Sequence, residues 1–255
     1  MGLSDQSREG YLIGTAPGMA VTPQPRRSER LITVLLSTLA FVVALNSIII
    51  FPLGPFLADS LGFPPHKVGF IGSSYSIAAA VGGIVSAGFL DRFDRRTALI
   101  VYALGFVAAT ALCATATSIV ELIVIRAFAG FFAGPLWGLL IAIASDNVPP
   151  ERRGTAVGIL IGAYGLALVA GLPLGVMVAV STLGWQMNFV GVAVVGLALT
   201  AIVSWQIGAQ RQHLAELRTW SWSGQHEAMI ELITARSSML AFMLIASASY
   251  AALLI

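Results

Sequence analysis

The sequence has few charged residues. Asp, Glu, Lys and Arg make up 10% of its 255 residues, whereas 57% are hydrophobic. A soluble domain usually carries about 25% charged residues, because a globule in water needs a polar surface. The composition therefore excludes an ordinary soluble domain and predicts a protein that folds in lipid.

Cysteine, lysine and histidine are also scarce. One cysteine, Cys113, excludes an intrachain disulfide and a cysteine-based metal cage. The only lysine, Lys67, falls between apolar runs, which excludes a retinal Schiff base in a membrane span. The three histidines lie in polar connections, so no span holds a base for an intramembrane serine nucleophile; they are His66, His213 and His226. We therefore predict no metal site, no cofactor and no enzyme.

Long apolar runs are what the sequence does contain. A membrane-crossing helix needs roughly 20 mostly apolar residues, because the hydrocarbon core is about 30 Å thick. Seven runs meet this length, at about residues 31–53, 68–90, 97–120, 119–144, 154–180, 187–207 and 237–255. Residues 1–30 are expected to form a disordered tail and 208–236 an interfacial loop, for which a flexible linker is the alternative.

The basic residues between these runs are distributed unevenly. Lys67 stands alone in one set of loops, and Arg126 lies inside a run. The twelve others fall in the opposite set: Arg8, Arg26, Arg27, Arg30, Arg92, Arg95, Arg96, Arg152, Arg153, Arg211, Arg218 and Arg236. Because basic loops stay inside the cell, this pattern predicts a cytoplasmic amino terminus in a bacterial inner membrane. It indicates membrane topology and not a nucleic-acid surface.

Four motifs carry a resemblance to a known family. The segment Leu90–Leu99 (LDRFDRRTAL) resembles the loop signature of the major facilitator superfamily, G-x-L-A-D-R-x-G-R-R/K-x-x-L. Its matching residues are Asp91, Arg92, Arg95, Arg96 and Leu99, and its departures are Ala87, Phe89 and Asp94. Arg126–Gly130 resembles the R-x-x-Q-G pattern of the same family. Pro149–Gly154 resembles the family's inner loop before the fifth helix. Gly162 with Gly171–Gly175 is similar to the glycine-proline motif of proton-driven exporters.

The resemblance covers about residues 31–207 and implies an all-α membrane fold. We expect a six-helix bundle of two three-helix inverted repeats, with a seventh helix starting a second, carboxy-terminal bundle. The implied function is secondary active efflux of a small drug-like or metabolite solute across the lipid bilayer, with protons as the coupling ion. Because seven crossings fall short of twelve, we expect a truncated chain that is inactive alone. A non-transporting or homodimeric half-transporter, or sugar and nutrient uptake, are the alternatives.

Arg126 is the first candidate for the cavity. An arginine within a span costs about 2.5–3.5 kcal/mol on insertion scales, so it should face the bundle interior or water. Snorkelling to the outer end near Glu121 is the alternative. Asn46 and Tyr75 are polar groups in apolar runs and are grouped with it. Since an amide does not titrate, a coupling proton would need Glu121 or a group of the second bundle.

A conformational latch is the second candidate site, composed of Asp91, Arg92, Arg95 and Asp146. By resemblance this loop would hold the two bundles together, and its arginines would pair with Asp146. The alternative for the arginines is a topology signal alone.

Helix packing or gating is assigned to small and kinking residues in the fourth and fifth spans; these are Gly130, Gly162, Gly171, Pro173 and Gly175.

Overall fold

A computed structural model describes residues 26–90 and 94–206, and the side chains of 29–86 and 94–206. Within these ranges the chain forms helices and no strand. The α-helices are α1 (Arg26–Ile48), α2 (Ile50–Leu61), α3 (Val68–Leu90), α4 (Arg95–Cys113), α5 (Ile119–Asp146), α6 (Arg153–Leu166), α7 (Leu172–Val180) and α8 (Gln186–Gln206). Short 3₁₀ turns at Pro65–Lys67 and Pro150–Arg152 precede α3 and α6.

Among residues 26–90 and 94–206, six helical segments are long and apolar enough to cross a membrane. They coincide with the first six predicted runs, and the all-α prediction is confirmed. The seventh run and the loop 208–236 lie outside the described residues. One boundary was wrong: α1 begins at Arg26, so residues 26–30 are helical although we expected a disordered tail there.

The first span is interrupted, which the apolar run alone did not predict. α1 ends at Ile48 and α2 begins at Ile50. Pro52 explains the break, because it has no N–H for the Ile48 carbonyl and its ring crowds that carbonyl. The fifth span is also irregular: a π-helical turn, Ala167–Gly171, separates α6 from α7. Such turns are frequent at functional sites.

The tightest packing joins α3 to α5. A Cβ built at Gly82 would overlap the Phe131 carbonyl oxygen, and one at Gly134 would overlap that of Ala79. Gly130 meets the backbone of Tyr75 in the same way. Since lipid supplies no hydrophobic force between helices, this close approach of backbones is what packs them.

Polar contacts tie the helices together at one end of the bundle. Arg96 Nε donates to the Ser204 carbonyl at 2.8 Å, joining α4 to the last turn of α8. Arg152 pairs with Glu29 at 3.5 Å, joining the α6 entry to α1. Asp94 caps α4, because its carboxylate accepts a hydrogen bond from the Thr97 N–H. The aspartate that departs from the family signature thus stabilises the start of this helix.

Candidate functional site

A cleft opens between four of the spans. Its volume is about 260 Å³, near the lower end for ligand pockets of roughly 300–1,000 Å³. Helices α1, α3, α5 and α6 line it, through Val43, Ala44, Ser47, Tyr75, Ala79, Ala133, Gly134, Trp137 and Tyr164. The lining is mostly apolar and aromatic, with hydroxyl groups as its polar elements.

Arg126 lies directly behind this cleft. It is on α5 and is fully buried, which agrees with an interior position and not with snorkelling. Its guanidinium donates to the Asn46 carbonyl at 2.8 Å, to Asn46 Oδ1 at 3.3 Å and to the Ser47 carbonyl at 3.4 Å. On its other side it stacks on the Tyr75 ring, 4.4 Å from the ring centroid. Arg126, Asn46 and Tyr75 are therefore brought together.

Main-chain carbonyls of the first span accommodate this charge. Asn46 and Ser47 lie in the last turn of α1, next to the interruption at Ile49, and their carbonyls accept from the guanidinium. Hydrogen bonds from an ionised donor are stronger than those between neutral groups. No ion pair to Arg126 is found within residues 29–86 and 94–206. Main-chain oxygens thus take the place of a carboxylate.

A small polar network extends from this centre. Asn46 Nδ2 donates to Thr110 Oγ1 at 3.4 Å, and both side chains are fully buried. The amide of Asn46 therefore bridges Arg126 on α5 and Thr110 on α4, which fixes its orientation. Two donors of this centre, Tyr75 Oη and Arg126 Nε, have no hydrogen bond of good geometry within the described residues. Sequence reasoning did not identify Thr110.

Glu121, which we grouped with the cavity, lies elsewhere. It is in the first turn of α5, where its carboxylate accepts from the Thr117 N–H at 2.9 Å and from Thr117 Oγ1 at 3.0 Å. Ser118 Oγ accepts from the Glu121 N–H, completing a cap of the capping-box type. Glu121 is not among the residues that line the cleft. The spacing Ser118-x-x-Glu121 was the sequence signal for this cap.

The latch residues are described only in part. Arg95 at the start of α4 pairs with Asp146 at the end of α5. The Asp146 side chain is 43% exposed, so the pair lies at the surface of this end of the bundle. Asp91 and Arg92 lie outside the described residues. Both partners of the observed pair belong to the same bundle, and opening of the pair during transport stays a prediction.

The predicted packing and gating residues differ in how closely they contact their neighbours. Gly130 contacts backbone closely, and a Cβ at Gly171 would lie 2.7 Å from Leu45 Cδ1. Gly175 is covered by Ile49, the residue at the break of the first span. Pro173 follows the π-helical turn directly. At Gly162 a Cβ would meet nothing within 4 Å among the described residues, so its packing role stays a prediction.

Sequence reasoning missed part of the cleft. Ser47, Trp137 and Tyr164 line it, but none of them was assigned to a site from the sequence. Trp137 follows Arg126 by 11 residues, close to three helical turns, so a helical projection would have placed it near the same face. The position of Tyr164 depends on how α6 packs on α1, which no local pattern gives.

The sequence model of the Major Facilitator Superfamily matches residues 36–255. The chain belongs to this superfamily. Its relatives are transporters, so the chain is a multi-pass membrane protein of a transporter family, as the four motifs predicted.

Relatives in the superfamily include exporters. The MFS-type transporter YtbD of Bacillus subtilis (strain 168) is 28% identical over 162 residues, covering 64% of this chain and 41% of that protein. The multidrug export protein EmrB of Haemophilus influenzae is 28% identical over 182 residues, covering 71% and 35%. The chain thus spans less than half the length of these relatives.

A solved structure confirms the superfamily fold. The proton:xylose symporter XylE superposes with a TM-score of 0.66 at 16% identity, over 75% of this chain and 47% of the symporter. At this identity the likeness concerns the fold alone. The matched part is again about half of the larger protein.

Proposed function

We propose that this chain supplies one bundle of a secondary transporter that exports a small amphipathic solute. The observation that carries the proposal is the cleft of about 260 Å³ with the buried guanidinium of Arg126 behind it. The cleft contributes half of the substrate site, and a second bundle contributes the other half. Arg126 sets the electrostatics of the site from the amino-terminal side.

The chemistry of the cleft favours an amphipathic solute over a sugar. A sugar carries hydroxyl groups on every side and needs many polar partners, because an unpaired polar group is costly to bury. The cleft offers Trp137 and two tyrosines among small apolar residues. Aromatic rings bury much apolar area, and the few hydroxyls orient a ligand. Uptake of a sugar is therefore the weaker alternative.

The burial of the spans supports a second bundle. Only 22% of the apolar stretch in Pro65–Ser86 and in Pro150–Val180 is buried, against 61% in Glu29–Ile48. Large apolar side chains on these two spans face outward, among them Ile77, Val169 and Met177. Together with the half-length match to the relatives, this favours a partner bundle covering α3 and α6–α7. Either a longer polypeptide or a second copy would supply it.

Orientation and coupling form part of the same proposal. The arginine-rich end, with Arg95, Arg96 and Arg152, lies on the cytoplasmic side of a bacterial inner membrane.

The carboxylates of residues 29–86 and 94–206 lie at helix ends or in connections: Glu29, Asp59, Asp94, Glu121, Asp146 and Glu151. If protons drive export, the titrating group belongs to the second bundle. The Arg95–Asp146 pair acts as a latch that opens in one transport state.

Accumulation of fluorescent amphiphiles tests the proposal. The gene, read through to its stop codon, is expressed in a bacterial strain that lacks its main exporters, and accumulation of a panel of anionic, neutral and cationic fluorescent amphiphiles is followed. We expect lower accumulation in energised cells and its recovery after addition of a protonophore. Equal accumulation with and without the protein, across a panel of neutral and charged amphiphiles, would contradict the proposal.

Two tryptophan variants provide the matched control. Trp137→Ala removes a ring from the cleft, whereas Trp205→Ala removes one that is 83% exposed at the end of α8. We expect a severalfold loss of export for the first and none for the second. Equal effects would show that the cleft is not the solute site.

A further inference from the structure

We propose that the cleft selects its solute by charge: it binds amphipathic solutes that carry a carboxylate or a neutral carbonyl group, and it excludes quaternary ammonium compounds. This selection rests on the proposed function of the cleft as a solute site. It follows from the buried guanidinium, its nearness to the cleft and the absence of acidic residues from the described lining.

The first step concerns the charge itself. Arg126 is fully buried, and its oxygen partners are the carbonyls of Asn46 and Ser47 and the Asn46 amide. These groups are dipoles. They stabilise the guanidinium but leave its net charge of one unit in place, whereas a carboxylate would cancel it. The described part of the site therefore carries a net positive charge.

The second step concerns distance. The Tyr75 ring lies between the guanidinium and the cleft: Arg126 stacks on it, and it lines the cleft. Ser47 likewise contacts Arg126 and lines the cleft. The charge is thus about one ring away from a bound solute. At an effective dielectric constant of about 20, unit charges some 8–10 Å apart interact strongly enough to change binding on the order of tenfold.

The third step concerns hydrogen bonding. Tyr75 is only 4% exposed, and its hydroxyl faces the Asn46 side chain in a contact that falls short of good hydrogen-bond geometry. Arg126 Nε has no hydrogen-bond partner among the described residues. Buried donors are normally satisfied in folded proteins. A solute carbonyl or carboxylate oxygen offers the Tyr75 hydroxyl a better acceptor than this contact, whereas a quaternary ammonium has none to offer.

The fourth step concerns the other side chains of the cleft. Its lining in residues 29–86 and 94–206 contains no acidic residue. The nearest carboxylate on α5 in the outward direction, Glu121, is engaged with Thr117 in a helix cap. Nothing in this part of the cleft would neutralise a cationic solute. The geometry therefore points to acceptor-bearing solutes.

Three probes with one aromatic body test the selection. They are 2-naphthylacetate, 2-naphthylacetamide and (2-naphthylmethyl)trimethylammonium, which are anionic, neutral and cationic. The protein, expressed from its gene through to the stop codon, is placed in nanodiscs of phosphatidylcholine. Saturable binding is measured by equilibrium dialysis, with empty nanodiscs subtracted for partitioning into lipid. We expect the acetate to bind at least tenfold tighter than the ammonium, with the acetamide between them.

Two tyrosine variants locate the effect. Tyr75→Phe keeps the ring that stacks on Arg126 and removes the hydroxyl, so we expect a loss of about fivefold or more for the acetate and acetamide and no change for the ammonium. Tyr102→Phe is the matched control, because Tyr102 packs edge-to-face on Phe132 and does not line the cleft. The control should bind all three probes as the unchanged protein does.

The outcomes separate this inference from the proposed function. Saturable binding in which the ammonium equals or exceeds the acetate would overturn the charge selection and leave a solute-binding cleft in place. Binding in the expected order that Tyr75→Phe and Tyr102→Phe leave unchanged would overturn the assignment to this cleft. Absence of saturable binding by all three probes would contradict both the selection and the proposed function.

Discussion

Two sides of the bundle use glycine in opposite ways. Along the seam between α3 and α5, glycines allow backbones to touch, as at Gly130 and Gly134. Along α6, Gly158 and Gly162 have open space where a Cβ would stand. The same residue type therefore marks a completed interface on one side and an uncovered surface on the other. Small residues in a span predict close packing, but they do not say against which partner.

Glycine substitutions on the two sides give the largest contrast. Gly134→Val forces a side chain into the Ala79 carbonyl and must separate α3 from α5, so we expect a loss of about 3 kcal/mol or more in the free energy of unfolding. Gly162→Val places its side chain in open space and should change it by less than about 1 kcal/mol. Denaturant titration in detergent micelles measures both. Comparable losses would remove the distinction between the two sides.

Arg126→Lys tests whether Arg126, on the closely packed side of the bundle, has a role in transport in addition to its role in packing. A lysine keeps the charge but lacks the planar fork that reaches the Asn46 and Ser47 carbonyls together. We expect export to fall about tenfold or more, with the amount of protein in the membrane unchanged. Arg153→Lys, at the exposed start of α6, serves as the control. Full export by Arg126→Lys would leave Arg126 with a packing role only.

Asp146→Asn tests the end of the bundle. The pair with Arg95 is half exposed, so its loss should cost no more than about 1 kcal/mol of stability. If the pair is a latch, the export rate should change severalfold. Exchanging the two charges, with Arg95→Asp and Asp146→Arg together, should then restore the rate. An unchanged rate in the single variant would reduce the pair to a surface contact.

Glu121→Ala should have the smallest effect. Its carboxylate accepts two hydrogen bonds from Thr117 at an exposed helix start, so its loss should cost about 0.5–1 kcal/mol. Export should stay as it is, because Glu121 does not line the cleft. Loss of export with a normal unfolding curve would return Glu121 to the role of a coupling group.

The sequence was sufficient for the spans and for the interior position of Arg126. Charge-free runs of the right length predict spans because lipid penalises every charge, and the same penalty predicts that Arg126 faces inward. It did not predict the contact of Arg126 with Tyr75, because the rotation of each helix about its axis depends on packing. The break at Ile49 had a local signal in Pro52, which the uniform hydropathy of the run concealed.

Two assignments depended on neighbours that the nearby sequence does not specify. Glu121 was grouped with the cavity because it is an acid near a span, although the preceding Ser118 gives it a cap. Gly162 was assigned to packing because of its motif, yet its surface is uncovered among the described residues. In both cases the residue type was read correctly, but its partner was not specified by the residues nearby.

The anchoring of Arg126 by carbonyl oxygens of α1 has an evolutionary consequence. No single codon change deletes a main-chain oxygen, so two of the three oxygens that hold Arg126 do not depend on which side chains stand at positions 46 and 47. What selection must preserve is the shape of the chain around Ile49. A survey of relatives that searches for an acidic residue paired with this arginine would overlook the anchor, whereas one that follows the proline after the break would find it.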